Sequence, residues 1–207
     1  MDLALRRGLA EMRHDGAEIL DARKVDTWSS GSSFTLANKI YRAIFAIVWA
    51  LFARWTPPQW HGWRRTILRM FGASIAPMAH VYPSARIWSP ANLRMEERAC
   101  IGPHAIVYSM APVSLGRQAL ISQGAHICAG THDIEDPNFQ LRAYPIKIGE
   151  RAWVAAEAFV GPGVTIGDGS VLGARACAFR DLDPWTVYVG NPARAVKRRA
   201  LRPHADP

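Results

Sequence analysis

His132 is the residue of this chain whose type and position best suit it for chemistry. It follows Gly130 and Thr131 at a point where a regular six-residue spacing of apolar residues stops. An imidazole group has an unperturbed pKa of about 6.5, so it can exchange a proton at neutral pH. A lone histidine is more often an ordinary surface residue, so the surrounding elements decide whether this one is catalytic.

The elements that must position His132 have a six-residue period. Aliphatic or small residues form one column with this spacing, and mostly small residues form a second column four positions later. The first column includes Ile148, Val154, Val160, Ile166, Leu172 and Ala178. A period of six fits neither an α-helix nor a simple strand. It predicts a three-sided coil of about 18 residues, with parallel strands joining successive coils and glycine easing the corners.

The repeat defines the predicted organisation of the chain. An earlier run starts at Ile75 and resumes after a two-residue shift at Ile101. Ile127 and Ile148 are 21 residues apart, which is not a multiple of six, so part of 133–145 must leave the coil as a loop. We predict a flexible arm, a helical segment, a β-helix domain and a basic tail at 1–33, 34–72, 73–190 and 191–207.

The segment 34–72 contains two predicted helices. Residues 43–53 are uninterrupted apolar residues, and Pro57 and Pro58 end that helix, while a second runs from Trp60 to Phe71. Eleven apolar residues are too few to span a bilayer, which takes about 20. We favour packing of the helices on the main domain or on a neighbouring subunit. The alternative is peripheral contact of residues 38–71 with an anionic membrane.

Composition limits the classes of function. The chain has 207 residues, 49% of them hydrophobic, which excludes a wholly disordered protein or a coiled coil. The formal net charge of +8 favours anionic partners. No nucleic-acid-binding motif is present, so we predict no nucleic-acid partner. Three cysteines without a CxxC pair, and no signal-peptide pattern, predict a cytoplasmic protein, with peripheral attachment to the inner face of the membrane as an option.

The six-residue units resemble those of the hexapeptide-repeat acyltransferases, a family of homotrimers that use acetyl-CoA at sites between subunits. Five segments carry the resemblance: ISQG at 121–124, GTHD at 130–133, WVAAEA at 153–158, GPGV at 161–164 and GNPA at 190–193. The resemblance implies a mainly β fold, a left-handed parallel β-helix, although parallel crossovers are generally right-handed. The segments 61–65 and 111–113 are most similar to the branch of colanic acid and related exopolysaccharide biosynthesis.

The resemblance implies an acetyl-CoA-dependent O-acetyltransferase that acts on a sugar or polysaccharide precursor. His132 would be the general base that takes the proton from the attacking hydroxyl group. The thiolate of CoA leaves readily because its thiol has a pKa of about 8.5, so no metal is required. A main-chain N–H of the segment 155–156 would hold the oxyanion. Asp133 and Glu157 are candidates to orient His132, although we favour the alternative that each is a solvated loop or surface carboxylate.

The resemblance also suggests residues for the two substrates. Tyr108 and Ser109 lie where relatives place acceptor-contacting residues, commonly Asn or Asp, so Ser109 departs from the pattern. Small residues would let the pantetheine arm approach the backbone, and basic residues would bind the phosphates, although a basic run is often a solvated end. The residues matching the cofactor site are Trp153, Ala155, Ala156, Ala174, Arg180, Arg194 and Lys197.

Two other functions remain open on the same fold. A zinc enzyme of the carbonic anhydrase type would need three histidine ligands, and His104, His126 and His132 are the candidates. His126 and His132 are one repeat apart, which places them on neighbouring sides of the coil. The second alternative is a non-catalytic β-helix scaffold. The acceptor sugar and its hydroxyl group are not predicted.

Overall fold

A computed structural model describes residues 33–201 and the backbone of residues 18–19. Short strands wind into a prism with three faces, and neighbouring strands on each face are parallel except for the last pair of the second face. The first face contains β2 (Ser74–Ile75), β5 (Leu93–Met95), β8 (Val113–Leu115), β13 (Ile146–Ile148) and β16 (Thr165–Ile166). The second contains β3 (His80–Val81), β6 (Cys100–Ile101), β9 (Leu120–Ile121), β14 (Trp153–Val154), β17 (Val171–Leu172), β19 (Thr186–Val189) and β20 (Arg194–Arg198). The third contains β4 (Arg86–Ile87), β7 (Ile106–Tyr108), β10 (His126–Cys128), β15 (Phe159–Val160) and β18 (Cys177–Ala178).

The length of a coil changes along the prism. Ser74 pairs with Arg94, so the first coil takes 20 residues rather than the predicted 18. The two extra residues lie where the third face passes to the first, beside a short 3-10 helix at Pro90–Asn92. Lys147 pairs with Thr165, so a later coil takes the predicted 18 residues. The two-residue shift in the sequence is therefore a wider turn at one corner.

The interior of the prism is a stack of aliphatic ladders, as the period predicted. Side chains of the first column are fully buried at successive levels of the second face, including Val81, Ile101, Ile121, Val154 and Leu172. Small residues of the second column share the interior, including Ala79, Ala99, Ala119, Ala152 and Ser170. Complete burial of one large aliphatic side chain contributes about 1.5–3 kcal/mol, so the repeated column is the main source of stability.

Glycine at the corners has a different role from the predicted one. The corner residue with positive φ is often not glycine, as at Arg151 (φ 55°) and Glu157 (φ 57°). Glycine instead occupies the first position of several corners, where successive coils approach closely. A Cβ on Gly167 would lie 2.6 Å from the backbone nitrogen of Pro184. The glycine column therefore follows from close approach between coils rather than from backbone conformation.

Two helices precede the prism, as predicted: α1 (Leu36–Phe52) and α2 (His61–Met70). The helix α2 buries Ile67 and Leu68 and contacts the first strands of the prism, β2 and β3. The helix α1 buries Phe45 and Trp49 on one face only. Within the described part of the chain, no helix is long and apolar enough to cross a membrane.

Arg64, in the segment 61–65, has a structural role. Its side chain is fully buried and donates to the carbonyl oxygens of Val81 (2.6 Å), Pro57 (2.9 Å) and Pro58. It also donates to the hydroxyl group of Thr56 at 2.6 Å. Burial lowers the pKa of this guanidinium. Arg64 therefore ties the connection between the two helices to the first coil.

Both predicted terminal segments contain a strand. Residues 18–19, within the predicted flexible arm, form β1 (Glu18–Ile19). The strand β20 of the predicted basic tail runs antiparallel to β19 with all its residues exposed. The remainder of the arm before Ser33, and residues 202–207, lie outside the described residues.

Candidate active site

The predicted loop is a β-hairpin that projects where the third face passes to the first. Its strands are β11 (Gly130–His132) and β12 (Leu141–Ala143), and His132 is paired with Leu141. The strand β1 adds a third, antiparallel strand next to β12. Ser114 pairs with Lys147, 33 residues further on, so the hairpin is inserted within one coil without disturbing the register of the face.

The turn of the hairpin orients His132. Its Nδ1 lies 2.9 Å from the carbonyl oxygen of Phe139. Because a carbonyl only accepts, Nδ1 carries the hydrogen in the neutral ring, and the lone pair is on Nε2. The ring of Phe139 stacks on the imidazole, with centroids 4.3 Å apart. Phe139 has φ 48°, a conformation that bulky residues rarely adopt. The turn therefore fixes the orientation of the imidazole and leaves Nε2 as the nitrogen that can accept a proton.

The two carboxylates predicted to orient His132 have other partners. Asp133 accepts from Arg142 at 2.7 Å, and this hydrogen bond, with a second from the backbone of Glu135, lowers the pKa of Asp133. Glu157 pairs with Arg175 at 2.6 Å on a different corner. Neither carboxylate is hydrogen-bonded to His132 among the described residues. The contact that orients His132 comes from the main-chain carbonyl of Phe139. Every residue has a main-chain carbonyl, so the sequence could not indicate this one.

Tyr108 and Ser109 lie below the hairpin, and only Tyr108 is placed to reach a ligand. Tyr108 is half-buried, and a Cβ on Gly130 would lie 3.0 Å from its ring. Its side chain also lines a cleft of about 720 Å³ between α1 and the third face. Ser109 is fully buried, and its hydroxyl group accepts from the Ser89 N–H and donates to the Ser89 carbonyl. The predicted acceptor contact of Ser109 is therefore corrected to a tie between coils.

We name the corner between the third and first faces, with its hairpin, the histidine corner. It carries Tyr108, His132 and Asp133. Arg180 lies at the same corner, exposed in the turn after β18. It is thus separated from the other predicted cofactor residues.

The alanine corner is the corner between the second and third faces, at residues 155–158 and 173–176. The register of β14 with β17 places Ala156 beside Ala174 in successive coils. Ala155 is buried, and its N–H donates to the Leu172 carbonyl at 2.9 Å. Within residues 33–201, the N–H of Ala156 has no hydrogen-bond acceptor. Of residues 155 and 156, only Ala156 therefore has a main-chain N–H available for the predicted contact with the oxyanion.

The remaining cofactor candidates lie beside the alanine corner on the second face. Trp153 is 41% exposed, and its indole N–H donates to the Ser122 hydroxyl at 2.8 Å. Lys197 is in register with Val187, which lies on the row of Trp153 through β17. Arg194 is at the end of β20 nearer the corner. Exposed cations at this position are suited to binding phosphate groups.

The structure therefore sorts the predicted residues into two corners of the prism. The third face separates them, so one copy of the chain does not bring His132 to Ala156. A site that uses both needs the histidine corner of one copy and the alanine corner of another. This division could not be predicted without the register of the strands.

The three histidines of the zinc alternative do not form a set. His104 lies between the second and third faces in an earlier coil, whereas His126 lies on the third face and its ring contacts Phe159. Burial, and secondarily Arg86, lower the pKa of His126. His132 is on the projecting hairpin. Among the described residues, no group of three His, Cys, Asp or Glu side chains could hold a metal ion.

Comparisons with known proteins match this architecture. The family described as "Bacterial transferase hexapeptide (six repeats)" matches residues 145–177. The chain is 37% identical over 172 residues to WcaF of Escherichia coli K12, named as a colanic acid biosynthesis acetyltransferase, with 83% of this chain and 94% of that protein covered. A solved maltose O-acetyltransferase from Clostridium difficile 630 has a TM-score of 0.71 and 25% identity, covering 81% of this chain and 90% of the other.

A third protein adds to the likeness in fold. It is the hexapeptide-repeat acetyltransferase VCA0836 of Vibrio cholerae, solved in complex with acetyl coenzyme A. Its TM-score is 0.72 at 18% identity, with 82% of this chain and 92% of that chain covered. The fold class is the left-handed parallel β-helix that the repeat and its resemblance predicted.

Proposed function

Because this chain belongs to the hexapeptide-repeat acetyltransferases, we propose that it transfers the acetyl group of acetyl-CoA to a hydroxyl group of a sugar or polysaccharide precursor. Two relatives support this acceptor class: one is named for colanic acid biosynthesis and another is a maltose O-acetyltransferase. The observation that carries the proposal is the hydrogen bond from His132 Nδ1 to the Phe139 carbonyl, which leaves Nε2 as a base.

In the proposed reaction, His132 Nε2 takes the proton of the acceptor hydroxyl as its oxygen attacks the thioester carbonyl carbon. The carbon–oxygen bond forms, the carbon–sulfur bond breaks, and the imidazolium returns the proton to the leaving thiolate. Throughout, Nδ1–H stays bonded to the Phe139 carbonyl, which keeps the ring in one orientation. The Ala156 N–H is the proposed donor to the oxyanion.

The proposed active unit is a homotrimer, in which the histidine corner of one subunit faces the alanine corner of its neighbour. Acetyl-CoA would lie along the alanine corner, with its arm at Ala156 and Ala174 and its phosphates near Arg194 and Lys197. Trp153 would flank this groove. Arg180 would reach the same ligand from the neighbouring subunit, on the side of the histidine corner.

On the other side of the catalytic histidine, Tyr108 is the proposed acceptor contact. The proposed location is the cytoplasm, where the three free cysteines stay reduced.

The test is an acceptor screen that measures CoA release, repeated with His132→Ala. We expect turnover to fall by about 10²–10⁴, or roughly 3–5 kcal/mol of barrier, with acetyl-CoA affinity and melting temperature little changed. His80→Ala, exposed on the second face, is the matched control and should keep its turnover. Turnover of His132→Ala equal to the wild type would reject the base, and failure to bind acetyl-CoA would reject the function.

A further inference from the structure

The helix α1 has an apolar face that nothing in the described structure covers. One side packs on the protein through Phe45 and Trp49. The other side exposes large aliphatic side chains, each between 49% and 71% accessible, at spacings of three or four residues. These are Leu36, Ile40, Ile44, Ile47 and Leu51, and we name them the α1 stripe. Helical spacing places them on one side of the helix.

The apolar surface continues beyond the end of α1. The indole N–H of Trp63 donates to the Phe52 carbonyl at 2.7 Å, so α2 adjoins the end of the stripe. Trp55, Trp60 and Trp63 are 82%, 57% and 46% exposed. Tryptophan has an apolar ring and a polar N–H, and it is favoured where hydrocarbon meets water. A continuous surface of this kind is larger than scattered exposed residues would produce.

The charge of this segment favours one occupant. Residues 34–72 contain six Lys or Arg residues and no Asp or Glu. Lys39 and Arg54 are exposed near the two ends of the stripe. A second copy of the chain would bring two segments with only positive charges together, whereas anionic lipid headgroups would neutralise them. At 17 residues, α1 is about 25 Å long and is suited to lying in the plane of the interface.

We propose that the α1 stripe and the three neighbouring tryptophans insert into the surface of an anionic lipid bilayer, with α1 parallel to it. The aliphatic side chains enter the acyl boundary, and Lys39 and Arg54 contact the headgroups. The protein is then a peripheral membrane protein held by this surface. The stripe and the three tryptophans are independent of the reaction, because none of them belongs to either corner or to the cleft that Tyr108 lines, whereas Arg54 lines that cleft.

The experiment is co-sedimentation of the full-length protein with vesicles of phosphatidylcholine alone or with about one-third phosphatidylglycerol. The stripe variant is the triple substitution Ile40→Ser, Ile47→Ser and Leu51→Ser, and the charge variant combines Lys39→Gln with Arg54→Gln. The matched control is Val196→Ser, an equally exposed aliphatic residue on β20. Light scattering gives the mass of each protein in solution, and melting temperature and CoA release report the fold and activity.

We expect the wild type and Val196→Ser to sediment with the anionic vesicles, and the stripe variant to bind at least about tenfold less. The charge variant should lose binding severalfold, and high salt should weaken the wild type similarly. The stripe variant should keep its mass, melting temperature and CoA release. A wild type that stays in the supernatant overturns the proposal. So does a stripe variant of lower mass, because the stripe would then be an interface between copies.

Discussion

The alanine corner and the histidine corner are built from the same chain by opposite means. At the alanine corner, every described coil turns within four residues, so Ala156 and Ala174 stack in one line. At the histidine corner, the early coils carry two extra residues and a later one carries the whole hairpin. Regular turns align the small residues of successive coils, an arrangement suited to a long ligand. An irregular turn places the hairpin that carries His132 outside the repeat.

The buried aliphatic ladder supports both corners, so substitutions within it should have the largest effect. Ile166 is fully buried in the ladder, and Ile166→Asp would place a carboxylate there without a partner. We expect the protein to lose its fold, as measured by circular dichroism and size-exclusion chromatography. Lys147→Asp, exposed on the adjacent strand, is the control and should fold. A folded Ile166→Asp protein would mean that the interior ladder does not support the corners.

A large side chain at the alanine corner should affect binding more than chemistry. Ala156→Tyr would fill the groove beside Ala174, so we expect the KM for acetyl-CoA to rise about 10–100-fold. The melting temperature should change little because Ala156 is at the surface. Initial rates at varied acetyl-CoA provide the measurement, with Lys147→Tyr, exposed on the first face and outside both corners, as the control. An unchanged KM would remove this corner from the cofactor site.

Mixing two defective proteins tests whether the corners act together across subunits. His132→Ala keeps an intact alanine corner, and Ala156→Tyr keeps an intact histidine corner. If the active unit is the proposed trimer, random reassembly from equal amounts restores about one site in four, so we expect about a quarter of the wild-type CoA release. Each protein refolded alone is the control. Mixed trimers with no more activity than the separate proteins would place the complete site within one subunit.

Breaking the ion pair between Arg142 and Asp133 of the hairpin should have the smallest effect on activity. Arg142→Gln removes the partner that lowers the pKa of Asp133, so the turn that orients His132 should loosen and kcat/KM fall about two- to tenfold. Arg117→Gln breaks a similar pair with Glu150 at the remaining corner and should leave kcat/KM unchanged.

The pH dependence of this effect follows from the sign of the shift. A lowered pKa in the folded state means that the pair stabilises the hairpin above the unfolded pKa of Asp133 and is lost as the pH falls through the folded one. The difference between wild type and Arg142→Gln should therefore be constant around neutral pH and shrink only in acid. A difference that changes between pH 6 and 8 would contradict this origin.

The interior of the fold was predictable because each buried ladder repeats in the sequence. Val160 and Ile166 are six residues apart and fully buried, and the broken spacing after Ile127 located the hairpin. The prediction for His132 rested on the motif around it rather than on its chemistry. The six-residue period does not show which residues of different coils lie at the same corner, because that depends on the register of the strands.

The details of the site were less predictable because they depend on backbone groups and on contacts distant in sequence. The Phe139 carbonyl orients His132 through a turn conformation that the residue types of the turn do not predict. Ser109 is polar, yet its hydroxyl group is consumed by Ser89. The apolar sequence of α1 favoured burial, but only one of its faces found a partner within the chain.

The two ends of the prism determine whether molecules can join into fibres. A parallel β-helix is in principle endless, because its terminal strands offer unpaired backbone groups to any further strand. Here α2 contacts the first strands, and β20 turns back antiparallel with Arg194, Lys197 and Arg198 exposed. On the second face, a second molecule cannot continue the parallel stack past a reversed, positively charged strand. The reversal at the C-terminal end therefore closes one of the three faces to end-to-end addition.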